Sequence, residues 1–293
     1  MSLQSKLESG QFAISCEFGP LKGTDTTEIK ENIEVLKGKV DAANVTDQQS
    51  SVMRLGSLVT SYLAVQGGLE PIYQMTCRDR NRIALQSDLL SAWVLGIKNV
   101  LALTGDLPEL GDHPGAKGVF DLDSVTLLRT VNRLNEGYDL AGNELQGKPS
   151  FFAGAVVKVD SDTEASMELQ IAKMEKKIAA GAKFFQTQAV YDVDRFAKFM
   201  KRVEKFNVPV MAGVIPLKNA GMARYMNANV AGVYVPDNLI QKMADAPKEE
   251  RAATGIGIAA DFIKAVKSMC QGVHIMAIGW EKRVPEIIAA AGL

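Results

Sequence analysis

Short apolar runs rich in β-branched residues alternate along this chain with longer stretches whose apolar positions recur every three to four residues. The first pattern predicts strands over residues 12–18, 40–45, 71–75, 99–103, 151–157, 183–188, 209–214 and 273–278. The second predicts helices over 28–37, 53–66, 82–95, 124–135, 163–180, 193–205, 220–226, 248–269 and 285–290. A helix between two strands carries the chain back across the sheet, so such strands pair in parallel. Eight strand–helix units in 293 residues favour a closed (β/α)8 TIM barrel, an α/β fold of roughly 250 residues, over an open doubly wound sheet. The prediction is a single domain over 1–293, with extra helices between strands 7 and 8. No linker or low-complexity stretch divides it.

Composition narrows the function classes. Apolar residues make up 47% and charged residues 23%, the mixture of an ordinary globular protein with a sizeable core. Thirty-three basic and 34 acidic side chains leave a formal charge of -1, which gives no support for a nucleic-acid partner. Cys16, Cys77 and Cys270 are far apart and form no CxxC pair, so a disulfide framework is not expected and a reducing compartment is. Two histidines, His113 and His274, exclude a His-rich metal site, and no metal is expected. No apolar run approaches the ~20 residues of a membrane span, and the polar start lacks a signal-peptide core. A cytoplasmic location is the expectation.

In a barrel of this type, chemistry sits at the C-terminal ends of the strands. Those ends carry Glu17, Thr46 and Asp47, Gln74 and Thr76, Thr104 to Asp106, Lys158, Gln186 and Gln188, Pro216 and Lys218, and Gly279 to Glu281. Glu17 stands between Cys16 and Phe18 in an apolar run, where ionisation is costly; that suits a general acid, or a glutamate bonded to nearby donors for structural reasons. Asp106 follows the fourth strand in Thr-Gly-Asp-Leu-Pro, a turn that presents a carboxylate at the mouth or uses it to cap its own backbone. Gln188, in FFQTQ, can read the donor–acceptor edge of a heterocycle or can line the barrel. Gly255 and Gly257 lack the strand and spacing of a dinucleotide fingerprint and read as helix packing. Lys173, Lys176 and Lys177 form a solvated helix face, or Lys173 and Lys177 grip a phosphate together. His113 reads as a loop residue and the methionines as core filler.

Taken in order, short segments from the first strand to the seventh resemble the methylenetetrahydrofolate reductase family. They are Cys16-Glu17-Phe18 with Pro20, Asn44-Val45-Thr46, Met75-Thr76-Cys77, Ala102 to Pro108, Val125 to Leu128, Ala180-Gly181-Ala182, Thr187-Gln188, Tyr191-Asp192-Val193 and Gly213 to Pro216. The segment Gly279-Trp280-Glu281 matches poorly. The resemblance implies a flavin-dependent (β/α)8 oxidoreductase of one-carbon metabolism that reduces 5,10-methylenetetrahydrofolate to 5-methyltetrahydrofolate by hydride transfer from reduced flavin N5.

The resemblance also implies roles. Glu17 falls on the general acid that opens the five-membered ring of the substrate. Asp106 falls on the carboxylate that bonds the pterin beside the flavin, and Gln188 on the pterin-contacting glutamine. Thr46, Gln74, Thr104, Gly105, Asp106, Phe120, Asp121 and Lys177 fall on or beside flavin contacts. The chain departs from the family at Gln74 (histidine), Thr104 (arginine), Val157 (tyrosine) and Gln170 (aspartate), so FMN stays open beside the family's FAD. Ala220 stands near the family's stacking aromatic, which sets direct use of NAD(P)H against electrons from a separate protein such as an iron–sulfur subunit. Folate is the expected substrate, with association into homo- or hetero-oligomers open. Two other readings are a non-catalytic or corrinoid-partnering barrel subunit and a flavin-free folate-dependent methyltransferase.

Overall fold

A computed structural model describes residues 1–159, 163–230 and 232–293 of the chain. Eight parallel strands close on one another in sequence order. They are β1 (Ala13–Phe18), β2 (Ala42–Val45), β3 (Pro71–Thr76), β4 (Asn99–Leu103), β5 (Phe152–Val157), β6 (Phe184–Ala189), β7 (Val210–Val214) and β8 (Gly272–Met276). Closure is made by β1 on β8, with Ser15 opposite His274 and Glu17 opposite Met276. Strands covered on both faces carry apolar residues on both, and β3 and β7 are buried at every position. The helices that return the chain are α2 (Thr27–Leu36), α3 (Ser57–Gly67), α4 (Arg82–Val94), α5 (Ser124–Glu136), α6 (Glu164–Ala179) and α7 (Val193–Val203). Three helices, α8 (Ala220–Asn229), α9 (Asp237–Asp245) and α10 (Arg251–Val266), lie between β7 and β8, and α11 (Val284–Ala290) ends the chain. The closed barrel is therefore as the hydrophobic pattern predicts, as are the extra helices α8 and α10 between β7 and β8.

The differences are local. Helix α3 starts at Ser57 rather than 53, because residues 46–56 form a loop with three non-glycine residues in the left-handed region. Strand β8 stops at Met276, since Ile278 has φ 47°, incompatible with extension. Helix α9 was not predicted; Ile240 and Met243 alone are buried on it, too few apolar positions to show a period. Gly255 does serve helix packing: a Cβ there would lie 1.9 Å from the Leu217 carbonyl oxygen.

The N-terminus holds a further unpredicted element, α1 (Leu3–Glu8). Ser2 caps it by accepting from the Ser5 N–H. Its Leu3 and Leu7 are buried against Ala13, Ala42, Ile72, Leu101, Phe152, Phe184 and Met211, the inward-facing residues at the bottom of the strands. Burying two leucines contributes about 1.5–3 kcal/mol each. Gly154 makes room for this layer, since a Cβ would lie 2.3 Å from the Phe184 ring, which stacks on Phe152 with centroids 5.0 Å apart. The bottom of the barrel is thus closed by apolar packing. Among the described residues no helix is long and apolar enough to cross a membrane.

Candidate active site

The inward residues of β1 run Ala13, Ser15, Glu17, because side chains alternate along a strand. Glu17 is therefore the uppermost, at the mouth, with its side chain 11% exposed. Its surroundings are polar rather than the apolar ones its sequence neighbours suggest, because Cys16 and Phe18 face away from it into the strand–helix core. Gln49 Nε2 donates to Glu17 Oε1 at 3.3 Å and Gln74 Nε2 donates to Oε2 at 3.2 Å. His274 Nε2 lies 3.8 Å from Oε2.

Below Glu17 is a buried polar layer. Asn44 and Gln186 exchange two amide hydrogen bonds at 2.7 and 3.0 Å, and Gln186 Nε2 also donates to Ser15 Oγ at 3.2 Å. Ser15 Oγ is 3.0 Å from His274 Nδ1. Ser15 Oγ also lies 3.5 Å from the Val273 carbonyl, so the hydroxyl links the Gln186 amide, the β8 backbone and the His274 ring. His274 is the functional candidate that sequence reasoning missed. The available signal was the alternation of β8, which places Gly272, His274 and Met276 on one face.

Thr46 follows β2 directly, and Gln74 lies in β3, from where its amide reaches Glu17. The Thr46 hydroxyl is buried beneath Gly19, whose Cβ would lie 3.3 Å away, and has no hydrogen-bond partner among the described residues. Asp47 turns the other way: it accepts from the Thr76 N–H at 2.8 Å and from Ser57 Oγ at 3.1 Å, and pairs with Arg80. It is scaffold, holding the ends of β2 and β3 together.

After β4 the chain enters the long loop 104–123. Thr104 Oγ1 accepts from the Ser124 N–H at 3.1 Å, tying the strand end to the start of α5. Gly105 has φ 95°, and a Cβ on it would press on Arg78 and Thr76 at 3.0 and 3.1 Å, so only glycine fits. Asp106 is exposed, and its carboxylate makes no hydrogen bond among the described residues; it does not cap the turn. Phe120 is also left-handed, at φ 41°, with its N–H donating to the Cys77 carbonyl at 3.1 Å. Asp121 sits on the rim, where a two-point contact with Arg82 at 2.9 and 2.8 Å holds its carboxyl down at about 2.

On the opposite wall, the β6–β7 register shifts between Gln186 and Ala189. Such irregularities re-aim side chains near sites. Gln188 lies in this stretch, half-buried, with no side-chain hydrogen bond among the described residues. Two residues apart, Gln186 is the satisfied barrel-lining amide and Gln188 the free one. Lys177 reaches from α6 to donate to the Val156 carbonyl at 2.7 Å; burial and then Lys173 push its ammonium down from the usual lysine range. The structure thus gathers Glu17, Gln74, Thr46 and Gln188 around the mouth, with Thr104 to Asp106 on one rim. Asp121 is committed to Arg82.

The chain is 26% identical to methylenetetrahydrofolate reductase 2 of Schizosaccharomyces pombe over its whole length, covering 47% of that protein. It is 26% identical to 5,10-methylenetetrahydrofolate reductase of Pectobacterium carotovorum, with 87% of this chain and 81% of that one aligned. The chain thus spans about half the length of the yeast relative and about four fifths of the bacterial one. Among solved structures, a Clostridium thermocellum protein described as binding two copies of 5-methyl-5,6,7,8-tetrahydrofolic acid shares the fold, with TM-score 0.65, 16% identity, and 99% and 98% of the two chains covered. A 2,3-dimethylmalate lyase is similar at TM-score 0.53 and 11% identity, over 95% of this chain and 80% of that one. The family model for methylenetetrahydrofolate reductase matches residues 2–292, and the chain belongs to that family.

Proposed function

We propose that this chain reduces 5,10-methylenetetrahydrofolate to 5-methyltetrahydrofolate, with a bound flavin as the hydride source. The observation that carries the reading is the carboxyl of Glu17, held at the mouth by Gln49 and Gln74 beside a buried imidazole, in a chain of this family.

The residues present fit a flavin. A heterocycle with polar edges needs donors, acceptors and close backbone approach. The mouth offers an orphaned buried hydroxyl at Thr46, a glycine at 105 where no side chain fits, and the partly buried amine of Lys177. Thr46, Gln74, Thr104, Gly105, Phe120 and Lys177 would hold the group, with Asp106 and Asp121 bounding it. When bound, reduced flavin supplies a hydride; the family favours FAD and the departures at Gln74 and Thr104 leave room for FMN.

The chain's own part is acid catalysis and orientation. A proton on Glu17 Oε moves to a ring nitrogen of the bridged folate, opening the five-membered ring to an electrophilic iminium. The amides of Gln49 and Gln74, which donate to the carboxyl, stabilise the carboxylate left behind. The free amide of Gln188 reads the pterin edge, and Asp106 accepts from its N–H groups. Electrons enter from a separate protein, such as an iron–sulfur subunit: residues 217–222 carry no aromatic, and Ala220 is buried against the extra helices, so it offers no platform for a nicotinamide.

The test is the visible spectrum of the purified protein, followed by anaerobic mixing of photoreduced enzyme with methylenetetrahydrofolate. Reoxidation at the rate of folate conversion is expected. A colourless protein that still transfers methyl groups would instead favour the flavin-free methyltransferase. Bleaching of the isolated flavoprotein by NADH or NADPH faster than folate turnover would overturn the separate donor.

A further inference from the structure

The loop from β2 to α3 concentrates backbone strain beside the general acid. Gln48, Ser50 and Ser51 have φ of 49°, 55° and 58°. The left-handed region is unfavourable for residues other than glycine, and nothing in the sequence Gln-Gln-Ser-Ser prefers it. Strain of this kind persists only where surrounding contacts over-determine it.

Those contacts converge on Arg78, whose side chain is 3% exposed. Its Nη1 donates to Ser51 Oγ at 2.8 Å and to the Asp106 carbonyl at 3.5 Å, and its Nη2 donates to the Gln48 carbonyl at 3.3 Å. Asp79 fixes the guanidinium from the other side, accepting from Nε and Nη2 at 2.8 and 2.7 Å. The β4–α5 loop closes over the turn: Ser51 Oγ lies 2.9 Å from the Leu107 carbonyl, and a Cβ on Gly111 would lie 1.9 Å from the Ser51 carbonyl oxygen. One buried cation therefore binds the loops after β2 and β4. What the strained turn delivers is Gln49, an exposed side chain whose amide reaches Glu17 Oε1.

We propose that Gln49 and Arg78 are positioning residues for the acid step: Arg78 locks the β2–α3 loop in its strained form, and the loop's Gln49 orients the Glu17 carboxyl. The proposal rests on the acid role given to Glu17 above. It explains why a loop with no catalytic group of its own is held so expensively, and why the same clamp reaches the peptide of Asp106.

The test is single-turnover reoxidation of photoreduced enzyme by methylenetetrahydrofolate, over a range of folate concentrations. Gln49→Leu should lower the saturating rate about tenfold, the size of one hydrogen bond to a charged group, with the half-saturating folate concentration unchanged. Ser51→Ala, which removes the hydroxyl that Arg78 grips, should lower it in the same way but less, and Gln49→Leu should add little on top of Arg78→Met. In a Glu17→Gln background, Gln49→Leu should have no further effect, because it acts through that carboxyl. Gln49 is exposed, so its replacement leaves the fold intact even if Arg78→Met does not fold. A Gln49→Leu rate equal to wild type, or an undiminished Gln49→Leu effect in the Glu17→Gln background, overturns the positioning role while leaving the acid role standing. A Glu17→Gln enzyme as fast as wild type removes the acid role itself.

Discussion

The two ends of this barrel are built from the same eight strands and follow opposite rules. At the bottom, Leu3 and Leu7 fill the space between Ile72, Leu101, Phe152, Phe184 and Met211. At the mouth, among the described residues, the Thr46 hydroxyl is buried without a partner, the Gln188 amide and Asp106 carboxylate make no hydrogen bond, and the loops run through left-handed backbone at Gln48, Ser50, Ser51, Phe120 and Ile278. Unmet polar groups and strain are unfavourable for folding. Among the described residues the left-handed positions gather at the mouth, with Asn207 before β7 the exception at the bottom, where Asn99 Oδ1 is also unpartnered; the packed bottom offsets the cost of the strained loops above it. The difference assigns stability to one end and chemistry to the other.

The sharpest way to break this comparison is to change one atom at the mouth. Glu17→Gln should slow the folate half-reaction about 10²–10⁴-fold, the usual loss on removing a general acid, while flavin content and unfolding free energy stay as in wild type. Rapid mixing and a urea titration on the same preparation read both. A mutant within a few-fold of wild type would sink the assignment.

At the bottom the expectation reverses. Leu7→Ala should lower the unfolding free energy by about 2–5 kcal/mol, because the rim of fixed strands cannot collapse into the space. The folate half-reaction of the folded protein should not change. Equal loss of stability and single-turnover rate would mean that the two ends are coupled.

A smaller effect divides two glutamines on one strand. Gln186→Leu leaves the Asn44 amide without its partner and removes one bond to Ser15, and should destabilise by about 1–3 kcal/mol. Gln188→Leu removes an amide that bonds nothing among the described residues, so stability should hold to within about 0.5 kcal/mol while folate affinity falls. Denaturation and folate titration of both variants check this; a destabilised Gln188→Leu would make it a structural residue.

The smallest effect concerns the thiols. Burial pushes Cys77 up to about 12 and Cys270 up to about 11, and raises Cys16 well above the thiol range. The reactive thiolate is thus scarce at pH 8. A thiol reagent should modify none of the three in the folded protein and all three in urea. Fast modification of the native protein would show that the strand–helix core opens.

Sequence alone determined the barrel. Short apolar runs alternating with helical periods depend on local geometry, and eight repeats in a chain of this length favour a closed barrel. It also offered candidates: Glu17, a carboxylate in an apolar run, and Asp106, in a turn after the fourth strand. Short apolar signals were not enough for α1, where two leucines in a polar stretch show no period, or for α9. The register of closure was not legible either. Only the pairing of β1 with β8 brings His274 under Glu17, across more than 250 residues of chain. The same is true of Gln49 and Arg78: loop backbone in the left-handed region has no sequence signal when it is held there by a guanidinium from another loop. Local patterns fixed which elements form and which faces they bury. Which polar groups meet at the mouth was decided by closure and by loop-on-loop packing, contacts whose partners are distant in sequence and whose geometry exists only once the barrel has closed.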